Sequence, residues 1–145
     1  MKRLLFFSIL VAFACQNRKH ALNERASLHR DIDVFWKDFK NAVINSDSVR
    51  LSQLVDFPLE TRGVLDTDPI VKYEKGQFMR LFKAFLKQPT GINANLNETE
   101  FGLIKRTERL DSIQGTRLGG MEFNKVKGQW KLTLIYVFAM DTTRK

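Results

Sequence analysis

Apolar residues recur at steps of three and four between residues 24 and 45, which is the spacing of one face of a helix. The stripe consists of Leu28, Ile32, Phe35, Trp36, Phe39 and Val43. Charged side chains occupy the opposite side, so we predict a helix from Glu24 to Asn45. Ser46-Asp47-Ser48 then breaks the pattern and can cap a shorter helix that extends through Val55.

The middle of the chain predicts a strand, a loop and another long helix. Asp56 to Gly63 has the pattern of an entry turn and a short strand, and Pro58 restricts that strand to a start or a sheet edge. Asp66 to Pro69 predicts a loop. Lys75-Gly76 opens the helix, which we expect to end before Pro89. Its apolar stripe is Phe78, Leu81, Phe82, Phe85 and Leu86.

The last third of the chain has the pattern of strands, although Phe101 to Leu110 is mixed. Leu118 to Val126 predicts a strand that Gly119-Gly120 bends, and Lys127-Gly128 predicts a hairpin turn. Gln129 to Phe138 alternates most clearly and is apolar on both faces in its second half, which is typical of a central strand. One face is expected to carry Trp130, Leu132, Leu134, Tyr136 and Phe138.

This order of elements indicates an α+β fold. With the passages Phe35 to Lys40, Leu51 to Leu59 and Gln129 to Leu132, it resembles the NTF2-like, or cystatin-like, α+β cone over most of Asp31 to Phe138. The resemblance implies long N-terminal helices packed on a bent antiparallel sheet, with a cavity at the open end. That superfamily contains enzymes and non-enzymes, so the fold alone does not give a function.

The N-terminus has the order of a secretory signal: positive Met1-Lys2-Arg3, an uncharged run from Leu4 to Phe13, then small Ala14. The run is shorter than the roughly 20 residues of a spanning helix. Ala12-Phe13-Ala14-Cys15 resembles a lipobox, the recognition site of lipoprotein signal peptidase, although Phe13 is bulkier than the usual occupant. The resemblance implies a diacylglyceryl thioether on Cys15, cleavage before it, and acylation of the new amine.

These patterns divide the chain into a signal peptide (residues 1–14), a lipidated Cys15 with a tether (15–23) and one α+β domain (24–145). Cys15 is the only cysteine, so no internal disulfide can form. The alternative is a cysteine inside an ordinary signal peptide. Gln16, where inner-membrane lipoproteins commonly have Asp, implies anchoring in the outer membrane, facing the periplasm.

Charge narrows the classes of partner. Removal of Met1 to Ala14 deletes Lys2 and Arg3, which lowers the formal charge from +8 to +6. The excess is spread along the chain, which fits either a generally basic protein or attraction to anionic envelope material. Nucleic acid is not expected, because the compartment is wrong and no binding motif is present.

No catalytic, metal or cofactor site is predicted. His20 and His29 are the only histidines and form no ligand pair, and the Asp66, Asp68 and Glu74 cluster has the pattern of a solvated turn rather than a calcium loop. The first helix also has no Tyr, which NTF2-like isomerases and dehydratases often use there.

Five side chains are candidates for lining a pocket in the cone. The aromatic ones are Phe123, Trp130 and Tyr136, for which the alternative is a place in the core. The carboxylates are Asp56 and Glu60, for which the alternative is the surface. We therefore expect a membrane-anchored lipoprotein whose domain binds an envelope protein or a small ligand without catalysis. The alternative is a small NTF2-like enzyme with an acid or base in the cone.

Overall fold

A computed structural model describes residues 31–63, 65, 67–90, 98–110 and 117–138. Within these ranges the chain is α+β, as the sequence predicts. The helices are α1 (31–44), α2 (Ser48–Gln53), α3 (Lys75–Phe85) and α4 (Glu100–Arg106). The strands are β1 (Val55–Arg62), β2 (Val71–Tyr73), β3 (Arg117–Leu118), β4 (Met121–Val126) and β5 (Gln129–Tyr136). No helix in these ranges is long and apolar enough to cross a membrane.

The first two helices follow the predicted pattern. The helix predicted from Glu24 is present across 31–44, and its predicted start lies outside the described residues. The Asp47 carboxylate caps α2 by accepting a hydrogen bond from the Arg50 backbone N–H at 2.9 Å. Helix α2 ends at Gln53 rather than at the predicted Val55, because Val55 already pairs with Leu132 as the first residue of β1.

The five strands form one sheet in the order β2-β1-β5-β4-β3. Strands β1 and β5 are parallel and the other neighbours are antiparallel, so the sheet is mixed rather than antiparallel as predicted. Strand β5 lies at the centre, which confirms the prediction from its two apolar faces. The parallel pair joins the first half of the chain to its last strand.

The predicted place of Pro58, at a strand start or a sheet edge, is wrong, because Pro58 lies inside β1 and β1 has a partner on both sides. Pro58 lacks a backbone N–H and is tolerated inside a sheet only where the ladder is irregular. The register between β1 and β5 shifts between Val55 and Glu60, and β2 pairs with β1 only from Leu59 to Thr61. Pro58 therefore lies in the irregular stretch.

Two tight turns connect the last three strands. Lys127 (φ 51°) and Gly128 (φ 82°) form the predicted turn between β4 and β5. Gly119-Gly120 does more than bend a strand: Leu118 pairs with Met121, so the two glycines reverse the chain between β3 and β4. Gly119 has φ 55°, which a residue without a Cβ adopts at little cost.

A β-bulge in β5 changes which of its residues point into the core. Phe123 pairs with Leu132 and Glu122 with Leu134, which leaves Thr133 as the extra residue. Leu132 is buried before the bulge, and Ile135 and Val137 are buried after it. Simple alternation predicts that Leu134 and Tyr136 share a face with Leu132. They do not, because one inserted residue moves every later side chain to the opposite face of the strand.

The mixed segment from Phe101 to Leu110 does not contain the expected strand. Helix α4 begins there, and the Thr99 hydroxyl caps it by accepting from the Gly102 N–H at 3.2 Å. Glu100, Leu103 and Ile104 are buried on one side of this helix, at helical spacing.

Aromatic rings fill the space between the helices and the sheet. The largest fully buried side chains include Trp36, Phe39, Phe78, Phe82, Phe85 and Phe123. Neighbouring rings lie with centroids 5.1–6.2 Å apart, in stacked or edge-on pairs. Such pairs each add about 0.5–1.5 kcal/mol beyond the burial of their area. The interior of the described domain is therefore a packed aromatic core.

Candidate functional site

Phe123 and Tyr136, two of the predicted pocket residues, lie in different environments. Phe123 is fully buried and packs against the rings of Phe35, Trp36 and Phe39, so it is a core side chain. Tyr136 lies after the bulge, and its hydroxyl donates to Glu122 Oε1 at 2.8 Å. This hydrogen bond is the main reason why the pKa of Tyr136 is raised, with partial burial adding to it.

The two predicted carboxylates are half-buried residues of β1. Glu60 Oε1 lies 3.1 Å from the Lys72 ammonium on β2, directly across the strand pair. Asp56 precedes it near the start of the strand. Neither carboxylate lines the groove that contains Trp130. The structure therefore does not bring the five predicted residues together.

Trp130 lines an open groove of about 640 Å³ between α1, the end of α2 and the start of β5. We call this the Trp130 groove. Its walls include Asp31, Val34, Arg50, Gln53, Trp130 and Lys131. The Val34 side chain is 69% exposed and Trp130 is half-buried, so the groove presents apolar surface to solvent. The indole N–H of Trp130 is shielded from water and has no acceptor among the described residues.

Charged side chains surround this apolar surface. Lys125, which pairs with Trp130 across the hairpin, lies 5.5 Å from the indole centroid and 3.3 Å from Asp31. Lys131 donates to the Gln53 carbonyl. A cation near an indole face is held by the ring quadrupole, so Lys125 and Trp130 form one unit at the rim.

Arg50 supplies another cation of the rim. Its guanidinium forms two hydrogen bonds with the Asp38 carboxylate, and these raise the pKa of Arg50 above its ordinary value. Lys127 is exposed in the turn, next to the groove residue Gly128. Four cations, Arg50, Lys125, Lys127 and Lys131, thus lie around the groove with three carboxylates, Asp31, Asp38 and Asp47, which leaves one positive charge in excess.

A second, smaller groove lies beside α1 and the segment after α4. It measures about 410 Å³ and is lined by charged and amide side chains, among them Asp33, Lys37 and Arg109. Arg109 forms an ion pair with Asp33, with the closest nitrogen and oxygen 2.5 Å apart. Exposed ion pairs of this kind contribute little to stability, and the groove contains no aromatic wall.

Glu100 is a buried carboxyl that the sequence pattern did not single out. It is 1% exposed, and its Oε1 accepts the Gly120 N–H at 3.0 Å. Its Oε2 is buried without a donor among the described residues. Burial raises the pKa of Glu100 to about 7, although the Gly120 hydrogen bond and the charge of Arg117 act in the opposite direction.

The glycine turn makes room for this carboxyl. A Cβ on Gly119 would lie 2.3 Å from Glu100 Oε2, and one on Gly120 would lie 3.2 Å from Oε1. The double glycine was the available sequence signal, because adjacent glycines often mark the close approach of another group. The sequence pattern alone predicts a strand bend at these glycines and a strand in the segment of α4, so it does not reveal the buried carboxyl of Glu100.

Metal-binding groups are not clustered in the part of the chain that the structure describes, where no group of three or more His, Cys, Asp or Glu side chains occurs. His20, His29 and Asp66 lie outside that part, as does Cys15. The absence of a metal site stays a prediction for the whole chain.

Comparison with known proteins gave no family assignment. No protein-family model, curated protein or solved structure matches the chain. Functional inference therefore depends on the residues and geometry described above.

Proposed function

We propose that this chain is a lipid-anchored lipoprotein of the cell envelope whose domain is a non-enzymatic interaction module. The anchor is the acylated Cys15, supported by the charged, apolar and small segments that precede it. Several acyl chains would hold the domain firmly, since each buried methylene contributes about 0.8 kcal/mol. Gln16 supports an outer-membrane location on the periplasmic side.

We also propose that the domain has the NTF2-like cone shape. Helices α1 and α3 contribute the aromatic core against the sheet, and the first half of the chain pairs in parallel with the last strand. The register shifts of β1 against β5 and of β4 against β5 support a bent sheet, because bulges increase the local twist and bend a strand.

The packed interior is the observation that carries the non-enzymatic proposal. An enzyme of the cone type keeps an open cavity around its acid or base, whereas among the described residues buried aromatic rings fill the space between the helices and the sheet. The open surface with both apolar and charged groups is instead the Trp130 groove. Surfaces with an exposed apolar centre and a charged rim are typical of interaction sites.

A photo-crosslinking amino acid at Val34 tests this proposal in cells. Val34 lies on the groove and is largely exposed, so the substitution leaves the core intact. A matched control position is Lys83, an exposed residue of α3. We expect ultraviolet light to link position 34, but not position 83, to an envelope component. Equal or absent crosslinking at both positions would rule out the groove as the interaction site.

A small enzyme is the second candidate, and Glu100 is the observation that favours it. A carboxyl with a pKa near 7 is suited to general acid or base chemistry at neutral pH. Such a role requires a substrate to reach Oε2, which is buried.

Carbodiimide coupling of the folded full-length chain to an amine, followed by peptide mass spectrometry, distinguishes the two candidates. Rapid modification of Glu100 would support the enzyme, whereas modification only after unfolding would support a structural carboxyl. Glu60, which is partly exposed at the surface, is the internal control for reagent activity.

A further inference from the structure

We infer that the Trp130 groove and the adjoining β4–β5 turn form the membrane-facing surface of the domain, which docks on anionic phospholipid headgroups. The inference rests on the proposed anchor at Cys15, and it names the partner of the interaction surface. The proposed partner is the surface of the bilayer in which the acyl chains of Cys15 would be inserted. An envelope protein in the groove is an outcome that the experiment below can distinguish.

The position of the groove relative to the anchor supports this orientation. Asp31, the first described residue of α1, is a groove residue. Residues 16–30 separate it from Cys15, and 15 residues span at most about 50 Å when fully extended. The groove therefore lies no more than about 50 Å of extended chain from the proposed anchor.

Tethering makes a weak attraction sufficient. A domain held by such a short linker experiences a high effective concentration of the surface to which its anchor is attached. Which face turns toward the bilayer then depends on modest differences in charge and apolar exposure among the faces of the domain.

The charges of the groove complement an anionic surface. Lys125, Lys127 and Lys131 belong to one hairpin, and Arg50 lies across the groove from it. Asp31 pairs with Lys125, Asp38 pairs with Arg50, and Asp47 also lies close to Arg50. The four cations therefore exceed the three carboxylates by one positive charge. Cations near an anionic leaflet each strengthen attraction several-fold, within a Debye length of about 8–10 Å.

The apolar part of the groove matches the chemistry of the headgroup region. Tryptophan is enriched at membrane interfaces because its ring is apolar and its N–H is polar. The half-buried ring of Trp130 lines the groove, and Val34 adds an exposed apolar side chain to the same groove. Lysine side chains can extend their ammonium groups to phosphates while their methylenes cover apolar surface.

The two tryptophans make this orientation measurable. Trp36 is 1% exposed in the core, whereas Trp130 is half-buried at the groove. A nitroxide on a lipid headgroup quenches fluorescence only at short range. Quenching that disappears in Trp130→Phe therefore reports contact of the groove with the headgroups, and Trp36 emission reports that the core is folded.

The experiment uses the full acylated lipoprotein reconstituted into vesicles that carry a headgroup nitroxide. One set contains phosphatidylethanolamine with phosphatidylglycerol, and the other contains only phosphatidylcholine. We expect strong Trp130 quenching in the anionic vesicles and weak quenching in the neutral ones. Replacing Lys125, Lys127 and Lys131 by Gln should lower the ratio of docked to undocked protein about fivefold per lysine.

The matched control replaces Lys83, Lys87 and Lys105, exposed lysines of α3, its C-terminal turn and α4, by Gln. It removes the same net charge and should leave quenching unchanged. The inference is overturned if both triple variants lose quenching equally, if neutral and anionic vesicles quench equally, or if the acylated protein shows no Trp130 quenching. A Val34 crosslink formed only to a protein would overturn the docking on lipid but would leave the proposed interaction module in place. A chain that is not acylated would overturn the proposed anchor at Cys15.

Discussion

The protonation state of Glu100 depends on the residues that surround its carboxyl. Its carboxyl is buried by α4 and the β3–β4 turn, and it accepts the N–H of Gly120. Burial disfavours its charged form, and the remaining oxygen has no donor among the residues described. The protonated side chain is therefore the stable form in the folded state up to a pH of about 7.

This raised pKa predicts a specific dependence of stability on pH. Below about pH 4.5 the carboxyl is protonated in both the folded and unfolded states. As pH rises from there to about 7, the unfolded chain loses the proton first, so the contribution of Glu100 to the free energy of unfolding decreases. The decrease should amount to about 3 kcal/mol.

Glu100→Gln tests that dependence, because an amide keeps an acceptor for Gly120 but cannot ionise. We expect its stability relative to the original chain to increase between pH 4.5 and pH 8 in urea denaturation. A difference between the two proteins that is constant with pH would show that Glu100 does not titrate near neutrality.

Trp36 is the residue on which the core depends most directly. It is 1% exposed, stacks beside Phe39, and its indole N–H donates to the Thr107 carbonyl at 3.2 Å. Trp36→Ala should lower the free energy of unfolding by about 3–5 kcal/mol. Val34→Ala on the exposed side of the same helix should change it by less than about 0.5 kcal/mol. Equal effects in a denaturant titration would mean that the buried face of α1 is assigned wrongly.

At the scale of elements, the contact between the β3–β4 turn and helix α4 requires a residue without a Cβ at Gly119. Gly119 and Gly128 both have positive φ, but a Cβ would meet Glu100 and Leu103 only at Gly119. Gly128→Ala should therefore cost about 1 kcal/mol, from backbone strain alone. Gly119→Ala should cost a further 1–3 kcal/mol or so, because it overpacks the contact with α4. Similar thermal denaturation midpoints for the two variants would contradict this contact.

The elements that could be predicted from the sequence are those with a local cause. The stripes of α1 and α3 follow from helical spacing, the start of α2 from the Asp47 cap, and the last hairpin from Lys127-Gly128. The bulge at Thr133 and the parallel pairing of β1 with β5 depend on residues far apart in the chain, which local periodicity does not encode. Local periodicity does not predict helix α4, because its apolar stripe is short and lies within a segment of mixed pattern.

The same distinction applies to the site in the whole molecule. The sequence predicts Trp130 as a residue that lines a pocket in the cone, with the core as the alternative, whereas the structure places it half-buried on an open groove. The surroundings of Trp130 could not be predicted from the sequence, since the rim combines Asp31 and Arg50 from the first half of the chain with Lys131 from β5. Only the packing of α1 and α2 against the sheet brings these charges together.

The proposed lipid anchor connects the three scales, because acylation of Cys15 would hold the domain in the envelope and the Trp130 groove near the bilayer. Metabolic labelling with an alkyne fatty acid, compared between the original chain and Cys15→Ser, tests it most directly. We predict a labelled, membrane-bound protein that becomes unlabelled, and uncleaved or released, in Cys15→Ser. Equal labelling of both proteins, or none in either while a known lipoprotein in the same cells is labelled, would contradict the account.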